Sequence, residues 1–505
     1  MNIREAKQEI INTVRAYLAK DDMGSYLIPR ERQRPVLVMG PPGVGKTAVM
    51  QQIAEELGIS LVSYTITHHT RQSAIGLPAT SKKQYGGQEY SVTEYTMSEI
   101  VASIYDQIER SGISEGILFL DEINCVSETL APTMLQFLQY KTFGAHRVPD
   151  GYIIVTAGNP PEYNRSVRDF DIVTLDRVRR LDVAEDFEVW KEYALQEGVH
   201  GSVLSYLGIR REHFYSIRTE PSGRKFVTAR GWEDLSDSIK VYETLGLPVT
   251  REMTGSFLQD PEIAESFTGY YALYRKYSEV YRIPEILDGK APEAALQLKN
   301  APFDEKLSLL GLLTAALGQE FRDWAEELDV QRTVFELMKE LRDGVQSGSI
   351  GSAEEWLSLQ TEQRKKVFET ELRARLIGRG QERRKRMVLR RLSGMMEALR
   401  SRTREDGRGA YAFLRTMFTS EETARKARAE ETGRHLTNTF LFLDRVFGQG
   451  QEMVLFLTDL SAGRDSLRFV REQGNEEYYK YNRMLLLKDS REELRSEVMK
   501  LLGDW

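Results

Sequence analysis

The chain has a single cysteine, Cys125, among 505 residues. No internal disulfide framework is open to it, and the surrounding DEINCVSETL suits a small buried apolar role better than a reactive thiol. Long apolar runs are also missing. The most apolar stretch, LSLLGLLTAALG at 307–318, falls far short of the roughly 20 residues that cross a bilayer and reads as a buried helix. The opening MNIREAKQEIINTVRAYL is charged from its fourth residue and lacks an apolar run before a small-residue cleavage site, so no secretory leader is expected. These shortages point to a reducing, cytoplasmic setting and no membrane partner. Histidine is scarce, and the one adjacent pair, His68-His69, would face opposite sides of a strand, which argues against a shared metal.

What is present describes an ordinary globular chain, 41% hydrophobic and 29% charged, with a formal balance of −7. Its length exceeds one core, so two to four domains are expected. From residue 35 to about 183, short apolar runs alternate with amphipathic segments. PVLVMG (35–40), SLVSYTI (60–66), GILFLDE (116–122) and YIIVTAGNP (152–160) read as buried strands. KTAVMQQIAEEL (46–57), EIVASIYDQIERSG (99–112) and TLAPTMLQFLQY (129–140) have helical spacing. This alternation predicts a parallel sheet covered by helices on both faces, with ligands at the carboxyl ends of the strands.

Those ends carry the chemistry. GPPGVGKT, residues 40–47, matches G-x-x-x-x-G-K-[ST] between a strand and a helix. Gly40, Pro41, Pro42, Gly43, Val44, Gly45, Lys46, Thr47 and Ala48 are the expected nucleotide-binding residues. The glycines let backbone N–H groups converge on phosphates, and the helix adds its positive end. Lys46 would reach the β- and γ-phosphates, and the Thr47 hydroxyl would bind Mg²⁺. GILFLDE ends in two acids: Asp121 would hold Mg²⁺ through its outer shell, and Glu122 would polarise the attacking water. Asn159, after YIIVTAG, could orient that water or read the γ-phosphate; capping the turn before Pro160-Pro161 is its plainer role. ATP is preferred over GTP because no N-K-x-D guanine-reading motif follows.

GPPGVGKT, ILFLDE, AGNPPEY and LDRV, in this order, resemble the AAA+ ATPases, and among them the MoxR-like branch. The resemblance covers roughly residues 25–245. It implies an α/β phosphate-loop core over 1–183 with an N-terminal helix and a helical lid over 184–250; beyond them, helical spacing predicts a mainly helical module over 251–505. It also implies two insertions facing a ring's central pore: residues 68–98, with GLP at 76–78 and a hairpin tip at Tyr85-Gly86-Gly87-Gln88, and a second hairpin at 139–152. Arg177, in LDRVRR, matches the arginine such proteins present to the next subunit, although Val178 stands where phenylalanine is usual; Arg165 and Arg168 are alternatives. TARGWEDLS (228–236) is similar to the start of the last lid helix, which makes Arg230 the lid arginine facing the γ-phosphate.

The C-terminal half carries no nucleotide, metal or nucleophile signature. Helical spacing and sparse proline beyond residue 302 predict eight to ten helices, with strands considered near EMVLFLTDL (452–460). One stretch, residues 373–404, holds twelve basic against two acidic residues. It could be a solvated helix face, a docking surface for an acidic partner, or a nucleic-acid contact. The resemblance implies a homo-oligomeric ring, a hexamer, that hydrolyses ATP to remodel or activate a protein client beside a partner with a von Willebrand factor A domain. The alternative is a nucleic-acid-dependent motor of the same superfamily that uses the 373–404 helix.

Overall fold

A computed structural model describes residues 1–66, 76–143, 146–163, 170–221, 223–373, 377–401 and 407–484. His68-His69, Arg165 and Arg168 lie outside the described residues. The chain divides into two compact units, one of Met1–Val189 with Gln360–Leu389, the other of Trp190–Leu359 with Arg390–Trp505.

The first unit is the α/β part. Its elements follow as α1 (Ile3–Leu18), β1 (Val36–Met39), α2 (Lys46–Leu57), β2 (Ser60–Thr65), β3 (Pro78–Tyr85) and β4 (Gln88–Tyr95). After these come α3 (Glu99–Ser111), β5 (Gly116–Asp121), α4 (Ala131–Tyr140), β6 (Thr142–Phe143), β7 (His146–Arg147), β8 (Tyr152–Gly158), α5 (Ile172–Leu175) and β9 (Arg179–Asp182). Five strands form one sheet in the order β2-β5-β8-β1-β9, every neighbouring pair parallel. The pleat decides the two faces. Ile117 and Phe119 of β5 join Val49 and Ile53 of α2 in one layer, while Leu118 and Leu120 join Ile104 of α3 and Phe137 of α4 in the other. Both faces are thereby covered, and this is why these strands read as continuous apolar runs.

The two insertions are short antiparallel hairpins. In β3–β4, Tyr85 pairs with Gln88 across Gly86 and Gly87, whose φ values of 60° and 84° suit the two-residue turn that matches strand twist. In the second hairpin Thr142 pairs with Arg147 and Phe143 with His146. Lys141 anchors its base from a buried position: its ammonium donates to the Arg30 carbonyl at 2.9 Å, and Arg30 donates back to the Lys141 carbonyl at 3.1 Å. Burial, aided by the Arg30 charge, pushes Lys141 down to about 8.

The second unit is mainly helical. Its start includes α6 (Phe187–Glu197, in part), α7 (Gly201–Ile209) and α8 (Ala229–Leu245). Between α7 and α8 lies a feature absent from the helical reading of 184–245: an antiparallel hairpin of β10 (Ser216–Glu220) and β11 (Gly223–Val227). Helices follow from Arg251 onward, the longest being Phe303–Ser347, which contains the apolar run at 307–318. No described helix is long and apolar enough to cross a membrane. EMVLFLTDL is not a strand but lies within the helix Gln451–Ala462, which buries Met453, Phe456, Leu457 and Leu460 on one face.

Glu243 ties this unit's first helices together. It accepts from the Tyr271 hydroxyl at 2.9 Å and from Arg275 at 3.2 Å, and it lies 3.2 Å from His200. Burial alone would raise its pKa, yet these partners outweigh burial and hold it at about 2. A depressed carboxylate pKa stabilises the fold above the unfolded value of 4.5 and loses that contribution as pH falls toward 2. Unfolding followed across this range should therefore show a shallower acid dependence in Glu243→Gln than in the native chain.

Candidate functional site

β1 ends at Met39 and the chain turns through Gly40, where a Cβ would stand 2.7 Å from the Val183 carbonyl oxygen. No larger residue fits there without moving β9's exit. Gly43 and Gly45 have φ values of 77° and 92°, in the left-handed region that glycine enters freely. With Pro41, Pro42 and Val44 they bring the loop onto the start of α2, so Lys46, Thr47 and Ala48 form its first turn. The N–H groups of such a turn have no carbonyl four residues back and point outward, ready for an anion.

Lys46 is 8% exposed, and its Nζ donates to three neutral oxygens: the Gly40 carbonyl at 2.7 Å, the Pro41 carbonyl at 2.8 Å and Asn159 Oδ1 at 2.9 Å. Sheet order explains the last contact. β8 lies between β1 and β5, so the residue leaving β8 stands between the loop and the acids that close β5. Thr47 Oγ1 donates to Asp121 Oδ2 at 3.0 Å, and the Glu122 N–H donates to Asp121 Oδ1 at 2.9 Å. Glu122 has φ 57°, an uncommon conformation for a residue with a side chain and one that marks functional turns. Cys125, just beyond, is partly exposed and not deeply buried.

The arrangement fits a polyphosphate with a hard cation. The loop offers backbone donors and an ammonium, and Thr47 with Asp121 offers the oxygen donors that Mg²⁺ prefers. A cleft of ≈ 540 Å³ opens beside Gly40, lined by Pro160, Pro161, Phe170, Arg180 and Val183 among others.

Of the two arginines named from sequence, Arg177 belongs to the first unit and Arg230 to the second. Arg177 is exposed in the turn between α5 and β9, and among the described residues it forms no ion pair. Its neighbours are engaged. Arg179 donates to Thr13 Oγ1 at 2.7 Å, and Arg180 donates to Asp182 at 2.8 Å. Arg230 belongs to the second unit, exposed in the first turn of α8 behind the cap that Thr228 supplies. Sequence reasoning missed Asn124, 3% exposed, whose Nδ2 donates to the Asn159 carbonyl at 2.7 Å. Nothing in DEINC signals a contact with a residue on the next strand.

Several residues of the basic 373–404 stretch form ion pairs. Lys385 pairs with Glu371 and Arg391 with Glu421, while Arg386 meets Glu382 at 2.7 Å and Arg400 meets Glu354 at 2.9 Å.

A phosphate loop after β1, an acidic pair after β5 and a polar amide after the strand between them define the core of a phosphate-loop nucleoside triphosphatase. The family described as "ATPase family associated with various cellular activities (AAA)" matches residues 36–173, so this stretch is an AAA ATPase domain; the helical remainder lies beyond the match. No curated protein matches the chain. A solved structure of a Cytophaga hutchinsonii protein, provisionally described as an ATPase, aligns with 46% of this chain and 72% of its own at 11% identity. Its TM-score of 0.23 is too low to bear on the fold, which rests on the sheet order above.

Proposed function

We propose that the chain is an ATP-hydrolysing ring motor of the MoxR-like AAA+ type. It works as a homo-oligomer, a hexamer by resemblance, on a protein client beside a von Willebrand factor A domain partner. One observation carries the reading: the buried Lys46 ammonium, the Thr47–Asp121 bond and the Glu122 turn meet at one end of the sheet.

Lys46 exchanges the oxygens of Gly40, Pro41 and Asn159 for the β- and γ-phosphates of ATP, replacing neutral acceptors with charged ones. Thr47 and Asp121 would hold Mg²⁺, which would supply charge that screens the phosphate oxygens when bound. Glu122 accepts the proton of the attacking water, and Asn159 fixes the position of that water or of the γ-phosphate. Arg177 contributes positive charge to the neighbouring subunit's site, and Arg230 does so from its own lid. Ile172, 85% exposed, and Val173, 55% exposed, flank the Arg177 turn and suit a face that another subunit covers. Tyr85 and Tyr90, both exposed on β3–β4, supply aromatic surface for a client. The basic stretch contains no aromatic residue on which bases could stack, which weighs against the nucleic-acid alternative.

The trans role of Arg177 has a discriminating test. Arg177→Ala subunits and Lys46→Ala subunits, each inactive alone, should regain ATP turnover when mixed, because some interfaces then combine an intact loop with an intact arginine. Mixed rings without recovery would remove Arg177 from that role.

A further inference from the structure

The Asn124 amide has only one orientation open to it. Its Nδ2 faces the Asn159 carbonyl oxygen at 2.7 Å. Turning the amide over would set two oxygens against each other at that distance, so the donor assignment follows from chemistry. The other end, Oδ1, is buried and meets no donor. It lies against Gly158, where a Cβ would stand 2.6 Å from Oδ1 and 3.0 Å from both Cγ and the Met39 sulfur. A buried amide that forgoes one partner in order to make the other contact is an unfavourable arrangement on its own.

What it holds explains where it sits. The β8 ladder is ending: Gly158 pairs with Met39, and its carbonyl accepts the Gly40 N–H at 3.3 Å. Asn159 is the next residue, and Pro160 and Pro161, which follow it, have no N–H to extend the pairing. Asn124 reaches in from the turn after β5 to supply a donor to the Asn159 backbone. On its other side, Asn159 Oδ1 receives the Lys46 ammonium. The chain of contacts therefore runs from the acidic turn, through Asn159, to the phosphate loop.

We infer that Asn124 is a positioning residue: it fixes the Asn159 backbone and, through the Asn159 side chain, the resting place of the Lys46 ammonium. Gly158 is the space this arrangement requires. The inference rests on the ATPase reading only for its effect on turnover; the geometry of Lys46 can be read without nucleotide.

The test is acylation of Lys46 by an N-hydroxysuccinimide acetate in nucleotide-free protein, followed by mass spectrometry against the other lysines as internal references. Asn159→Ala should raise the Lys46 rate by about threefold or more, and Asn124→Leu, close in size but without a donor, should raise it comparably. The double variant should add nothing further, as expected when one residue acts through the other. Gly158→Ala should give the same increase by displacing the amide, which guards against a folding defect peculiar to position 124. In turnover assays Asn124→Leu should lower kcat about tenfold with ATP affinity changed by less than about threefold. A Lys46 rate unchanged by Asn124→Leu, or additive effects of the two asparagine substitutions, would overturn the inference. A wild-type chain without turnover would instead count against the ATPase reading, and the acylation rates would still decide the role of Asn124.

Discussion

Replacing Lys46 with alanine is expected to weaken ATP binding by about a hundredfold or more, since a hydrogen-bonded charge contributes roughly 1.5–3 kcal/mol and Lys46 makes several such contacts. The ammonium is already desolvated: it is 8% exposed and held by three oxygens of the loop and Asn159. The cost of burying it has been met in folding, so its attraction to phosphate is not spent on shedding water. Alanine removes that charge and leaves the loop backbone, set by Gly40, Gly43 and Gly45, in place. The variant should therefore fold, with a thermal transition near that of the native chain. Calorimetric titration with a non-hydrolysable ATP analogue measures the effect. Undiminished affinity would mean that nucleotide is held elsewhere.

Glu122→Gln should have the opposite profile, binding ATP while losing turnover by about 10²–10⁴, the usual worth of a positioned general base. Glutamine keeps the length and shape of the side chain and can occupy the same left-handed turn at a similar cost. The Glu122 N–H still donates to Asp121 Oδ1, so the Asp121–Thr47 pair is undisturbed. Only the capacity to accept a proton is lost. The resulting ATP-loaded state should also hold its neighbours, shifting the oligomer distribution in ATP toward rings. Normal turnover in this variant would assign the base to another residue.

The sheet and the phosphate loop were legible in the sequence because each depends on local pattern. Apolar runs four to seven residues long, separated by amphipathic helices, leave few alternatives to a parallel sheet. The Gly86-Gly87 tip needs positive φ at both positions, so the residues announce the turn. Other features depend on contacts that no local pattern records. β10 and β11 are rich in charge, with Arg218, Glu220, Arg224 and Lys225 masking the alternation. EMVLFLTDL is apolar enough for a buried strand or a buried helix, and periodicity over nine residues does not separate them. Its helix is settled by the core it enters, where Phe456 meets Phe440 edge to face.

The candidate site divides in the same way. Lys46, Thr47, Asp121 and Glu122 were visible as motifs, and Asn159 as a polar residue at a strand end. Asn124 was not, because its partner is 35 residues away and the two meet only when β5 and β8 lie side by side. The inclusion of residues 360–389 in the first unit was equally hidden. There a Cβ on Gly378 would stand 2.5 Å from Glu55 Oε1 on α2, a contact across more than half the chain.

That Lys46, Thr47, Asp121 and Glu122 form one ATP-hydrolysing site is open to a single measurement: phosphate release from Mg-ATP by the native chain, with Lys46→Ala and Glu122→Gln purified and assayed in parallel. Steady release from the native chain alone is the expected result. Equal release from all three, or none from the native chain at concentrations where it forms oligomers, would contradict it.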